Sequence, residues 1–368
     1  MPQQIYKFNN ATFVLKSKDL ITLSKQIKHI SQFYTETLNS FCGDETSIEY
    51  IENEKLFNNV LNKLKKIEYK SYQTFTNQIH YEYNVNGLKY YLIDNKEYLC
   101  IKKAHNDYCI ISDGKPSGEK WPFRIIREIL VRKNEDSCGL FMHGTGFNID
   151  GKGIALLGNS GSGKTTLMTK IFETDSNIKM LSNDRIFIYD DIKPMMEYFP
   201  IPIVYPIGTV KNSKHLIEYF KQTEIFEKRT GKSFENSKTT DKVDVPLTDI
   251  SKIFCNVNLV NESELNYIIF PNITNEEGEK IVELTKLEKE IMLNQTCFTI
   301  FDWESLRLPW IQNRVRSNND IIENKINTIL KIIENVPIIK LNYNFTTNGE
   351  KIKKLIKKIW YNYIKYFE

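Results

Sequence analysis

The stretch Gly158-Asn159-Ser160-Gly161-Ser162-Gly163-Lys164-Thr165 meets the pattern G-x-x-x-x-G-K-[ST] at every position. A loop of that composition works only between a buried strand and the first turn of a helix, so it constrains its neighbours as well as itself. The neighbours comply. Gly153 to Leu157 is a short apolar run suited to a buried strand, and Thr165 to Phe172 carries apolar residues at helical spacing. The glycines let the backbone turn tightly and aim its N–H groups inward, at a helix end where the dipole favours an anion. The pattern therefore predicts a phosphate cradle built from Gly158, Asn159, Ser160, Gly161, Ser162, Gly163, Lys164, Thr165 and Thr166. Lys164 is expected to reach the outer phosphates of a nucleotide, ATP by default, and the Thr165 hydroxyl to sit on Mg²⁺.

At 368 residues the chain is longer than a usual single domain. Two modules are expected, residues 1–118 and 119–368. In the first, helical apolar spacing runs over Leu20 to Phe41 and Leu56 to Ile67, and strand-like segments follow. Among them His80 to Val85 and Leu88 to Ile93 flank Asn86-Gly87, the pair that best accepts the positive φ angles of a type I′ hairpin turn. Tyr98 to Ile101 and Tyr108 to Ile111 extend this meander until Asp113 to Gly118 interrupts it. No catalytic pattern appears there.

The second module opens with a helix from Trp121 through Arg132, with Ile125, Ile126, Ile129 and Leu130 on one face and Arg124, Arg127 and Arg132 expected at the surface. Leu140 to Ile149 and Lys152 to Leu157 then read as a hairpin closed by Asp150-Gly151. Counting back from that turn in antiparallel register sets His143 opposite Gly158, beside the loop. Downstream, Ile178 to Leu181 is a further strand, and Asp184 stands at its end within Ser182-Asn183-Asp184-Arg185. Ligands of open α/β sheets bind beyond the carboxyl ends of strands, so a carboxylate at this place can face Mg²⁺ and the terminal phosphate. Asp190-Asp191, ahead of a proline turn, is a weaker acidic pair. The polar segment from Lys211 to Val245, including Lys228 to Ser233, Lys238 and Lys242, reads as a solvated loop able to lend a cation to the phosphates. Arg307-Leu308-Pro309-Trp310 is a second loop on the substrate side. The closing helix, Glu350 to Phe367, is amphipathic and basic.

From Trp121 to Asp184, the helix, the His143-Gly144 strand, the Asp150-Gly151-Lys152-Gly153 turn, the glycine loop and Leu181 to Arg185 follow in an order that resembles the catalytic domain of HPr kinase and its relatives. Asn335 to Tyr343 before the last helix is similar to the closing segment of that family. The resemblance implies an α/β P-loop kinase domain of the HPr kinase type, here with a β-rich α+β N-terminal module. It implies that the loop binds ATP and Mg²⁺, that His143 lies in the active site, and that Asp184 serves as metal ligand with Thr165 or as acceptor of the substrate's hydroxyl proton. The chain departs from the family in two places. Asn183-Asp184 stands where paired acidic residues are usual, and the Glu-x-Arg-Gly-x-Gly signature has no counterpart, which argues against HPr as the substrate.

Catalysis is thus expected from Asp184, His143 and Lys164, in phosphoryl transfer to a hydroxyl: Ser or Thr of a peptide or protein, such as a ribosomally made precursor peptide, or else a sugar or amino acid. A nucleotide hydrolase or switch without acceptor is the rival class, and a module holding nucleotide for structure alone is a third. The near balance of 50 basic and 46 acidic residues does not by itself argue for a nucleic-acid partner, and none is expected. No long apolar run suggests a membrane span, and the first apolar run, Phe13-Val14-Leu15, is too short for a signal peptide, so a cytoplasmic location is expected. The six cysteines lack C-x-x-C pairs, so reduced thiols are expected and no zinc site is proposed. Assembly into a homo-oligomer stays open.

Overall fold

The computed structural model describes every residue except 9–10, 34, 41–44, 74–78, 94–97, 105, 116–117, 191, 224–225, 228–232, 235, 277, 299–310, 312–314 and 368. Asp191, the 228–232 run and the Arg307–Trp310 loop therefore lie outside the described residues. The fold is mixed α/β with several sheets, and the chain forms two units, one of residues 1–137 with 299–321 and the other of residues 138–298 with 322–368.

In the first unit nine strands join in one sheet: β1 (Gln3–Phe8), β2 (Ala11–Ser17), β3 (Glu36–Leu38), β4 (Glu45–Glu52), β5 (Tyr69–Gln73), β6 (Ile79–Val85), β7 (Leu88–Ile93), β8 (Tyr98–Ala104) and β9 (Asp107–Ser112), in the order β3-β1-β2-β4-β9-β8-β7-β6-β5. The Asn86-Gly87 hairpin forms as its sequence requires, with φ of 51° and 80° and Val85 opposite Leu88. Helix α1 (Leu20–Ile30) is capped by the Asp19 carboxylate on the Thr22 amide at 2.7 Å. The helix expected over Leu20 to Phe41 stops at Ile30. Beyond it Glu36–Leu38 pairs with Ile5–Lys7, and Phe33, which continued the apolar spacing, stacks instead on Phe123 at 4.5 Å. Helix α2 (Glu54–Leu64) packs Phe57 and Leu64 against the cluster that holds Ile51, Leu92, Leu99 and Ile111.

Helix α3 (Trp121–Asp136) belongs to this unit, so the first unit runs to residue 137 whereas the sequence reading ended its first module at 118. Phe123 meets Phe8 as well as Phe33, which binds the helix to the N-terminal sheet. The helix also corrects one expectation. Arg132 is 1% exposed: its Nε donates to the Ile311 carbonyl at 3.3 Å, and Glu128 and Glu135 flank its guanidinium at 3.6 and 3.7 Å.

In the second unit the strand expected over Leu140 to Ile149 is broken at His143 into β10 (Leu140–Met142) and β11 (Gly144–Ile149), which enter different sheets. The strands that follow are β12 (Lys152–Leu157), β13 (Ile178–Ser182), β14 (Ile186–Asp190), β15 (Pro194–Tyr198), β16 (Ile203–Pro206), β17 (Lys242–Val245), β18 (Val257–Leu259), β19 (Glu262–Glu264), β20 (Tyr267–Thr274), β21 (Lys280–Glu283), β22 (Cys297–Phe298) and β23 (Ile338–Asn344). One sheet has the order β18-β13-β11-β12-β20-β23-β21, another β19-β15-β14-β10-β22, and β16 pairs with β17. The hairpin register is the one counted from Asp150-Gly151: Ile149 faces Lys152 and Gly144 faces Leu157.

Helix α4 (Lys164–Phe172) follows β12 through the glycine loop. After α5 (Ile207–Val210), the segment expected as a solvated loop contains α6 (Lys214–Thr223) and β17, because Leu216, Tyr219 and Phe220 supply a buried helical face amid the charges. The chain closes with helix Gly349–Phe367. Among the described residues no helix is long and apolar enough to cross a membrane.

Candidate functional site

Strand β11 is antiparallel to both β12 and β13, and β20 and β23 run parallel to β12. The carboxyl ends of β12, β13, β20 and β23 and the start of β11 therefore share one edge of the sheet, and the loop between β12 and α4 stands in its middle. Gly161 and Gly163 have φ of 85° and 96°, in the left-handed region where a Cβ is strained. At Gly163 space is closed as well, since a Cβ would meet Tyr343 Oη at 2.5 Å and Ile273 Cγ1 at 2.6 Å. The Tyr343 hydroxyl from β23 donates to the Gly163 carbonyl at 2.9 Å and pins the loop where α4 begins. The Gly158 amide, donating to the His143 carbonyl at 3.4 Å, carries the hairpin pairing one step past β12.

Lys164 is buried, and its ammonium donates to the Gly158 and Asn159 carbonyls at 2.6 and 3.1 Å. Burial, with Arg185 and Lys242 adding repulsion, outweighs the attraction of Asp184 and pulls Lys164 down to about 8. His143 sits at the break between β10 and β11, its amide held by the Thr296 carbonyl at 2.7 Å. Its Nε2 lies 3.1 Å from Asp184 Oδ1 and 3.4 Å from Lys164 Nζ. A proton on Nε2 makes that short contact a donation to the carboxylate, and two of the lysine's three donors are engaged on the loop carbonyls. The opposite tautomer would set a lone pair against the carboxylate. We therefore assign the proton to Nε2.

Asp184 occupies the turn between β13 and β14 with φ of 68°, a left-handed conformation that Asp tolerates better than most residues. Its Oδ2 accepts from Arg185 at 2.8 Å, and the same guanidinium group lies 4.3 Å from the centre of the Phe298 ring. The His143 ring stacks on that phenylalanine too, at 5.9 Å. Phe298 and Arg185 thus brace the histidine and the carboxylate as a pair. Burial alone would raise the Asp184 carboxyl, but the His143 hydrogen bond and the charges of Arg185, His143 and Lys164 outweigh it and hold it at about 2.

His143, Lys164 and Asp184, with Gly161 and Gly163 of the loop, line a cavity of about 370 Å³. Thr165 and Thr166 enter from α4, but only Thr165 is half-exposed. The Thr166 hydroxyl is paired with that of Thr209 at 3.0 Å, which ties α4 to α5. Lys242, opposite Pro206 in the β16–β17 pair, is exposed, and its ammonium makes no ion pair or hydrogen bond among the described residues. With Lys164 it gives the cavity lining two cations against the Asp184 carboxylate among the described residues, a balance that favours a polyanion. The amide of Asn183 is turned away from this task. Its Oδ1 accepts from Thr145 at 2.8 Å, and both residues are buried, where a second carboxylate would be costly.

His143, Lys164, Asp184, Thr165 and the loop, expected to meet, do meet. Sequence reasoning named Lys242 only as one lysine among several and passed over Arg185, Phe298, Ile273 and Phe345 as site residues. Lys242 alone left a trace, as a cation beside the short alternating run Val243 and Val245. No protein-family model matches the chain, and no curated protein matches it.

Proposed function

We propose that this protein is an ATP- and Mg²⁺-dependent kinase, of the P-loop type that HPr kinase represents, which transfers the terminal phosphoryl group to a hydroxyl of a peptide or protein. The observation that carries this reading is the placing of His143 between Asp184, at 3.1 Å, and Lys164, at 3.4 Å, at the mouth of a glycine loop. A structural loop has no use for an ionised carboxylate and a histidine gathered beside its lysine.

The first-turn amides of α4 have no partners within the helix and, with the loop, form the cradle for the phosphates. The Ser162 hydroxyl, buried and without a hydrogen-bond partner among the described residues, is a further polar group in that loop. Two oxygen donors suit Mg²⁺, the Thr165 hydroxyl and the Asp184 carboxylate. Among the described residues no cluster of three or more His, Cys, Asp or Glu could hold a metal by itself, and magnesium at a nucleotide needs none, because phosphate and water complete its shell. When bound, the ion would offset charge on the phosphate oxygens.

Lys164 exchanges its loop carbonyls for phosphate oxygens and follows the charge into the transition state. The acceptor oxygen bonds to the terminal phosphorus as the bond to the bridging oxygen of the departing diphosphate breaks. A carboxylate held at about 2 is a weak base towards an intact hydroxyl. Asp184 therefore orients the hydroxyl by accepting its hydrogen bond. The proton leaves late, once bonding to phosphorus has made that oxygen acidic, and passes to the Asp184–His143 pair. Lys242 adds a second cation on the open side of the cavity. A polymeric acceptor is favoured over a sugar or amino acid because the first unit is a second folded body without a phosphate-binding pattern. The test is transfer of label from ATP to Ser- or Thr-containing peptides, and label passing only to sugars or amino acids would move the acceptor to the small-molecule class.

A further inference from the structure

The cavity has an apolar end that phosphoryl transfer leaves unexplained. The strand order β13-β11-β12-β20-β23 sets Asp184 and His143 on one side of the glycine loop, and Ile273 of β20 and Phe345, directly after β23, on the other. Both apolar residues are half-buried and both line the cavity. Their side of the sheet is tied to the far end of the loop, where Tyr343 holds the Gly163 carbonyl and Ile273 closes the space over Gly163.

Phe345 is held in place by its own turn. The Asn344 carboxamide oxygen accepts from the Thr346 amide and hydroxyl, both at 2.9 Å, while the Asn344 amide donates to the Thr347 hydroxyl at 3.2 Å. Lys170 of α4 stands 5.6 Å from the centre of the Phe345 ring, a cation–π contact that couples the turn to the helix behind the loop. An ordered aromatic ring and an isoleucine offer nothing to a phosphate. They offer a flat apolar wall to a planar ring.

A linear ligand whose reacting phosphate lies at the Asp184–His143 pair and whose chain crosses the Lys164–Gly163 loop must leave its other end on the β20–β23 side. The geometry points to Phe345 and Ile273 as a nucleobase subsite, a stacking wall that receives the purine of the nucleoside triphosphate and so sets the direction in which the ligand lies. This rests on the nucleotide-binding reading above. Stacking area grows with the ring system, so purine triphosphates bind more tightly than pyrimidine triphosphates.

The test is calorimetric titration of the full chain with the magnesium complexes of ATP and of inorganic tripolyphosphate, which has the same phosphates and no base. Phe345→Ala is expected to weaken ATP about tenfold or more, as the loss of one aromatic–base stack does. Tripolyphosphate is expected to bind the variant as it binds the wild type. Phe345→Leu, which keeps apolar bulk against Lys170, should share the selective loss, and Phe345→Trp should restore ATP affinity. Equal weakening of both ligands, or unchanged ATP affinity in Phe345→Ala, overturns the subsite. Wild-type protein that binds neither ligand overturns the nucleotide reading itself, an outcome distinct from the other two.

Discussion

Asp184 and His143 share a hydrogen bond of 3.1 Å and a common brace in Phe298, so their effects on turnover are expected to overlap instead of multiplying. Asp184→Asn keeps size and removes charge, and is expected to lower kcat roughly a hundredfold or more with a smaller effect on ATP binding. His143→Ala is expected to cost less, and the double variant to be little worse than Asp184→Asn alone. Steady-state kinetics of the three variants check this, and losses that multiply would mean separate roles. Lys164 gives the site a pH signature. Its folded value of about 8 lies below the ordinary 10.5, chiefly through burial, so the charged form costs the folded chain stability. That cost is complete below about pH 8 and is relieved as pH rises towards 10.5. A bound polyphosphate favours the ammonium and reverses the preference. Affinity for ATP is therefore expected to be highest below about pH 8 and to fall above it, approaching tenfold per pH unit. Calorimetry at pH 7 and 9 measures this, and equal affinity at both would mean that Lys164 does not hold the phosphates.

At the scale of elements, the loop depends on an approach that only glycine permits. Gly163→Ala would combine a left-handed φ of 96° with a Cβ against Tyr343 and Ile273, and is expected to cost roughly 1–3 kcal/mol by urea denaturation while abolishing phosphate binding. A variant of wild-type stability and affinity would contradict the packing described for that turn. The same scale shows what the sequence could disclose. The pairing of Gly144 with Leu157 was legible because a two-residue turn sets register locally, and the place of His143 followed by counting. The break at His143 was not legible. It arises from the capture of Leu140–Met142 by β14 and β22, strands far away in the chain. Phe345 and Lys242 were hidden for the same reason: a phenylalanine after a strand, or a lysine at the start of one, has no local mark of the cavity that it lines.

For the whole molecule, the division into units follows packing more closely than composition. The Gly/Pro-containing stretch before residue 119 looked like a boundary, but the apolar face of α3 beyond it is covered by Phe8 and Phe33, and buried Arg132 reaches the Ile311 carbonyl in the return segment of the same unit. An arginine on an amphipathic helix carries no sign of such a distant partner, which is why it read as exposed. A chain shortened to residues 119–368 is therefore expected to expose α3, bind a hydrophobic dye and melt well below the full chain. A soluble fragment with the full chain's melting temperature would contradict this assignment of α3. A kinase, unlike a nucleotide switch, moves the phosphoryl group to an acceptor. The most direct measurement is incubation of the full chain with Mg²⁺ and ATP labelled at the terminal phosphate, together with Ser- and Thr-containing peptides. The predicted result is label on a hydroxyl of the peptide fraction, lost in Lys164→Ala and Asp184→Asn. Label released only as free phosphate, at one rate with or without acceptor, would contradict it.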